Sequence, residues 1–163
     1  MKKRIAIFGG SLFQDLRIEE ERYIPTGMQT VIELAKEYDI DNYSMMGMSI
    51  TRAKRLIEAL PMQELYSDCI LALGEADFDQ PKLFQEILEE LIDTLQHKHI
   101  RPLLVSLPKK LSKERKALEI QESIDQLAVK KNVDYIYEGK TTKQVSYVVL
   151  ENRDITKAIL NLC

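Results

Sequence analysis

Ser11 is the residue of this chain best placed to do chemistry. An apolar run, Arg4-Ile5-Ala6-Ile7-Phe8, ends at Gly9-Gly10, and the serine follows at once. In an open α/β sheet, ligands bind beyond the carboxyl ends of the strands, so a hydroxyl just past a first strand sits where a ligand would. Glycines there allow a sharp turn and a close approach to the backbone. The plainer reading of Gly9, Gly10 and Ser11 is a strand-to-helix turn with Ser11 as a cap. A serine hydroxyl is a weak nucleophile without a neighbouring base. Asp15 follows Ser11, Glu75 and Asp77 follow the run Cys69-Ile70-Leu71-Ala72-Leu73, and Glu138 and Lys140 follow the run at 133–137. A carboxylate or a desolvated lysine in those loops has the chemistry of a general base. Asp77 and Asp79 read equally as caps or solvated loop residues.

Both histidines fall elsewhere. His97 and His99 precede the run Leu103-Leu104-Val105-Ser106-Leu107, at the amino end of that strand. In a parallel sheet this is the opposite edge from Ser11, and a five-residue strand is ~17 Å long. No direct proton relay spans that distance, and the two read as surface residues at a helix end. Cys69 and Cys163 give neither a disulfide framework nor metal-ligand spacing, and Cys69 reads as inert core. No Gly-x-Gly-x-x-Gly and no Gly-Lys-Ser/Thr occurs, although Gly9-Gly10-Ser11 could present backbone N–H groups to a phosphate. No cofactor and no metal are expected.

The chain of 163 residues reads as one domain, 1–163, large enough for a sizeable core. With 45% hydrophobic and 30% charged residues it has a globular balance, not a disordered one. A net charge of −3 offers no basic field, so neither nucleic acid nor a membrane is an expected partner. The basic cluster Lys109, Lys110, Lys113, Arg115 and Lys116 reads as a solvated helix start. After Lys2-Lys3-Arg4 the apolar run is too short for a signal segment, and a cytoplasmic protein is expected.

The elements that must position Ser11 alternate strand with helix. Strands are expected at 4–8, 40–46, 69–73, 103–107 and 133–137, and 146–150 is extended and apolar. Segment 13–25 is a polar loop over the site. Met28, Val31, Ile32, Leu34 and Ala35 fit a helix at 26–38. Ser49 or Thr51 caps a second helix, which Pro61 stops. Pro81 opens a third, with Leu83, Phe84, Ile87, Leu88, Leu91, Ile92 and Leu95 in helical period. A fourth spans 112–131 with Leu118, Ile124, Leu127 and Ala128 inward, and Asn152 or Asp154 caps a last one bearing Ile155, Ala158, Ile159 and Leu162. The pattern predicts a three-layer, flavodoxin-like α/β fold, a five-stranded parallel sheet with helices on both faces. The order 2-1-3-4-5 is the natural arrangement, although the pattern alone does not fix it.

The loops after the first three strands hold Gly9-Gly10-Ser11-Leu12, Asn42-Tyr43-Ser44-Met45-Met46-Gly47 and Gly74-Glu75-Ala76-Asp77. In order and placement they resemble the first three blocks of the SGNH/GDSL hydrolases. Those blocks read Gly-Asp-Ser-Leu, Asn-x-Gly-x-x-Gly and Gly-x-Asn-Asp, with Asp-x-x-His near the C-terminus. The resemblance implies that Ser11 is the nucleophile and that its N–H and that of Gly47 form the oxyanion hole. Asn42 matches the block-two asparagine, a structural position in such a fold. The chain also departs from the pattern. Gly10 replaces the aspartate, Ser44 the first block-two glycine, and Ala76 the oxyanion-hole asparagine. Ser146 and Val149 fall where the aspartate and histidine would be. Losing one oxyanion donor costs roughly a hundredfold to a thousandfold, and losing the base on the order of a millionfold.

The resemblance therefore implies a degenerate member of the family, one that binds a small ester, acyl or sugar-type ligand, or a partner, without efficient catalysis. Candidate ligand-binding residues are Gly10, Asp15, Asn42, Gly74, Glu75, Ala76, Asp77 and Glu138. Two alternatives stand beside it: an active serine esterase or acylhydrolase using Ser11 with an unconventional base, and a flavodoxin-like nucleotide or flavin binder. Ser11→Ala is expected to leave the fold intact.

Overall fold

The computed structural model describes residues 2–14, 16–20, 22–25, 30–107, 115–137, 148–149 and 159. Strand β1 (Arg4–Gly9) is followed by a 3-10 turn (Leu12–Gln14) and a hairpin of β2 (Leu16–Glu19) and β3 (Arg22–Pro25). Helix α1 (Thr30–Leu34), β4 (Asp39–Asn42), α2 (Ile50–Ala59), α3 (Met62–Leu65) and β5 (Asp68–Ala72) come next. Helix α4 (Pro81–His97), β6 (Arg101–Val105), α5 (Arg115–Lys130), β7 (Asp134–Tyr137) and β8 (Val148–Val149) complete the order.

The main sheet runs β4-β1-β5-β6-β7-β8, and every neighbouring pair is parallel. Its first five strands give the expected 2-1-3-4-5 order. The two-residue β8, inside the extended apolar tail, adds a sixth strand. Alternation along β1 sends successive residues to opposite faces. Ala6 and Phe8 join the core under α2, α4 and α5, whereas Ile5 and Ile7 join Leu34 of α1 and Ile159 on the other face. Helices thus cover both faces, as a parallel sheet requires.

Several local expectations are corrected. Segment 13–25 is not a loop but mostly hairpin, with Leu16 paired to Pro25 and Ile18 to Tyr23. The charges of Arg17, Glu19 and Arg22 mask a period-two pattern there. The second strand is shorter than expected and ends at Asn42. Helix α1 is described over Thr30–Leu34 and leaves Ile32 exposed. Leu118 also faces solvent, because Ala117, Ile120, Ile124 and Leu127 set the buried stripe of α5 and Leu118 lies about 100° off it. Pro61 does end α2, but the single turn of α3 follows directly. Ser49 caps α2 through the Arg52 N–H at 3.2 Å, and Pro81 opens α4, both as expected.

Candidate active site

The site is built where β1 and β5 end together. Gly9 pairs with Ala72 in the ladder, and the Gly10 N–H donates to the Ala72 carbonyl at 3.3 Å. The loop after β4 joins them, for the Tyr43 N–H donates to Ile7 and the Met45 N–H to Gly9. The loops after β1, β4 and β5 therefore meet at one edge of the sheet. Ser11 follows, wholly buried, and its carbonyl accepts from the Gln14 N–H to start the 3-10 turn.

Glu75 reaches Ser11 from the loop after β5. The Ser11 hydroxyl donates to Glu75 Oε1 at 2.7 Å, and the Ser11 backbone N–H donates to Oε2 at 3.2 Å. One carboxylate thus occupies both donors of the residue. Two glycines permit this. Gly74 has φ +121°, a conformation that L side chains rarely adopt, and a Cβ there would lie 2.7 Å from Ile120. It turns the chain so that Glu75 points back at β1, in a turn closed by the Asp77 N–H on the Gly74 carbonyl. A Cβ on Gly10 would lie 2.8 Å from Glu75 Oε2. The missing Gly10 side chain and the inserted carboxylate are therefore one coupled feature. Glu75 is partly exposed as a residue, but loss of water around its carboxyl pushes its pKa up, and the two Ser11 hydrogen bonds only partly oppose this.

The remaining candidates divide by partner. Both carboxylate oxygens of Asp77 accept from the Ile50 N–H at 3.1 Å, so this buried side chain caps the start of α2. Burial also pushes its pKa up. Asn42 donates to the Phe13 carbonyl at 3.0 Å and accepts from the Ser44 N–H at 3.1 Å, which ties two site loops together. Gln14 adds a bond to the Ser44 carbonyl at 2.7 Å. Gly47 lies in an exposed turn at φ +72°, beside exposed Met45 and Met46. Ala76 is exposed next to Glu75. Asp79 is exposed and pairs with Lys116. Asp15, Glu138, Lys140 and Ser146, and the side chain of Val149, lie outside the described residues, as do Cys163 and Lys109.

One feature had no signal in the sequence. Ser44 Oγ is buried without a hydrogen-bond partner, and it lies 3.4 Å from where a Gly9 Cβ would stand. His97 and His99 are exposed at the end of α4, on the opposite sheet edge. Cys69 is buried, and burial pushes its thiol pKa far up. Among the described residues no group of His, Cys, Asp and Glu could hold a metal ion, and no helix is long and apolar enough to cross a membrane.

By sequence, no family model and no curated protein matches the chain. Solved structures do. An acetyl-xylooligosaccharide esterase from Geobacillus superposes with TM-score 0.69 at 11% identity, over 98% of this chain and 93% of that one. A GDSL-like lipase from Bacteroides thetaiotaomicron gives 0.66 at 12% identity, over 98% and 86%. The fold is that of the SGNH/GDSL hydrolases. A third structure, the esterase EstA from Pseudoalteromonas sp. inhibited by monoethylphosphonate, gives 0.63 at 18% identity, over 98% and 94%. At these identities the likeness speaks for the fold, while activity depends on the residues at the Ser11 edge.

Proposed function

We propose that this chain is a degenerate SGNH/GDSL-type hydrolase, one that binds a small ester, acyl or sugar-type ligand, or a partner, without efficient catalysis. The observation that carries this reading is the double bond from Ser11 to Glu75. An acyl-transfer serine needs its hydroxyl paired with a base that can take the proton and its N–H free to meet the developing oxyanion. Here a single carboxylate takes both. A negative charge already sits where the oxyanion would form, and repels it. The asparagine that would supply another donor is Ala76, and both histidines lie at the far edge.

A second reading has one observation in its favour. The 2.7 Å contact from Ser11 Oγ to Glu75 is within general-base reach, and burial makes that carboxylate a stronger base than usual. Glu75 would then have to keep Oγ while releasing the N–H. Exposure to a fluorophosphonate probe, read by intact mass and peptide mapping with Ser11→Ala as control, separates the two. No adduct at Ser11 is expected. Stoichiometric labelling at Ser11 of the folded protein would overturn the non-catalytic reading and make Glu75 the first base to test.

A further inference from the structure

Helices α4 and α5 end in the same way at the amino edge of the sheet. In each, the residue after the cap turns left-handed, His99 at φ +59° and Asn132 at φ +50°. The Ile100 N–H then donates back to the Leu95 carbonyl at 2.9 Å, and the Val133 N–H to the Ala128 carbonyl at 3.1 Å. Glycine is the usual residue at such a position, because it has no Cβ to strain. Both helices instead carry a hydrogen-bonding side chain there. His99 and Asn132 line one cavity of about 550 Å³ at the start of β6 and β7, on the opposite edge from Ser11.

The chemistry of the lining is selective. Ile100, Pro102 and Val133, all buried, give the cavity an apolar wall. Its charges are spent on one another, for Arg101 Nε donates to Asp134 at 2.6 Å and the same guanidinium lies 3.9 Å from Asp68. A charged ligand would find its counter-charge already taken. The remaining polar capacity is neutral. Gln96 spends an amide N–H on the Lys131 carbonyl at 3.2 Å, whereas the exposed side chains of His99 and Asn132 have no hydrogen-bond or ion-pair partner among the described residues. A neutral imidazole and a carboxamide each hold a donor beside an acceptor. An apolar wall with a few convergent polar groups, in a volume between about 300 and 1,000 Å³, is the make-up of a small-molecule site.

We infer that this cavity takes a small uncharged heterocycle with a lactam edge. The Asn132 carboxamide presents N–H and C=O side by side, the complement of a lactam's C=O and N–H, and His99 adds one more donor or acceptor. The site is separate from Ser11 and does not depend on what the carboxyl edge binds. The test is an NMR titration of the full chain with uracil, with 1,3-dimethyluracil, which keeps the ring and carbonyls but has no N–H, and with orotate, which adds a carboxylate to the same ring. Uracil is expected to shift the Gln96, His99 and Asn132 signals and to leave those of Ser11 and Glu75 in place. Dimethyluracil should bind more weakly, and orotate no tighter than uracil. His99→Gly and Asn132→Gly suit the left-handed backbone and keep the fold, and loss of one neutral hydrogen bond should weaken uracil binding about threefold to tenfold in each. No shift at these residues with uracil, equal binding of dimethyluracil, tighter binding of orotate, or unchanged affinity in both glycine variants overturns the proposal. The comparison of the three probes uses the unaltered chain and needs neither variant.

Discussion

The two edges of the parallel sheet treat a buried acid in opposite ways. At the amino edge, Asp68 on β5 is 3% exposed in its side chain, accepts from Ser67 Oγ at 2.6 Å, and has the Arg101 guanidinium 3.9 Å away. Arg101 also bonds Asp134 on β7 at 2.6 Å, so one cation spans three adjacent strands. At the carboxyl edge, the partners of the Glu75 carboxylate among the described residues are the neutral donors of Ser11. Among the described residues, charge is neutralised where the edge holds strands together, and the acid has no cation beside it where three loops converge. A carboxyl group whose pKa burial pushes up is the kind of group that clusters at functional sites, which supports the proposed reading of this edge.

The amino edge should give the largest response. Arg101→Ala strips the cation from Asp68 and Asp134 together. Breaking a buried pair costs about 3–5 kcal/mol, but the Arg101 side chain is 39% exposed and that of Asp134 32%, so solvent relieves part of the loss. A fall of about 2–3 kcal/mol in urea unfolding is expected. A loss below about 0.5 kcal/mol, the range of an exposed pair, would mean that Asp68 is solvated by other means and that the contrast between the edges is false.

Ser11→Ala comes second. The sequence leads one to expect an intact fold, since a loop hydroxyl makes few contacts. The structure instead buries Ser11 and gives it a charge-assisted bond. A hydrogen bond to a charged group contributes about 1.5–3 kcal/mol, and because Glu75 is partly exposed the lower end applies. The chain should fold with a loss of about 1.5 kcal/mol by urea titration. No loss at all would show that water replaces the hydroxyl without cost, and that the carboxyl edge is wetter than its geometry implies.

The parts of the molecule that were legible are those set by local pattern. The apolar period from Phe84 to Leu95, the Ser49 cap and the runs at β1, β5 and β6 each follow from side chains near in sequence. Alternation and handedness make the sheet parallel, and the observed 2-1-3-4-5 is the natural one among the orders they allow. The hairpin is not legible, because Arg17, Glu19 and Arg22 give a strand pair the composition of a charged loop. Glu75 was visible as a carboxylate on the correct edge, but its contact with Ser11 spans 64 residues and depends on the positive φ of Gly74. No propensity encodes that geometry. Asp77 looked like an ordinary cap, and it is one, though for α2 and not for the helix it precedes.

The smallest effect isolates charge from shape. Burial holds the Glu75 carboxyl above its ordinary value of 4.5, with the Ser11 hydrogen bonds pulling the other way. In the unfolded chain the group titrates near that ordinary value. Between it and the higher folded value the native state keeps more of the proton, so this group's contribution to stability is present at low pH and is lost as pH rises through the window. Asp77 and Asp125 shift in the same direction, each from burial, so wild type alone cannot assign the effect. Glu75→Gln keeps the shape of the side chain and removes one titration. Urea midpoints of wild type and Glu75→Gln at about pH 4 and about pH 7 should therefore show wild type losing ground to the variant as pH rises. If wild type gains instead, the two Ser11 bonds outweigh desolvation, and Glu75 is a satisfied structural acid like Asp68 at the other edge.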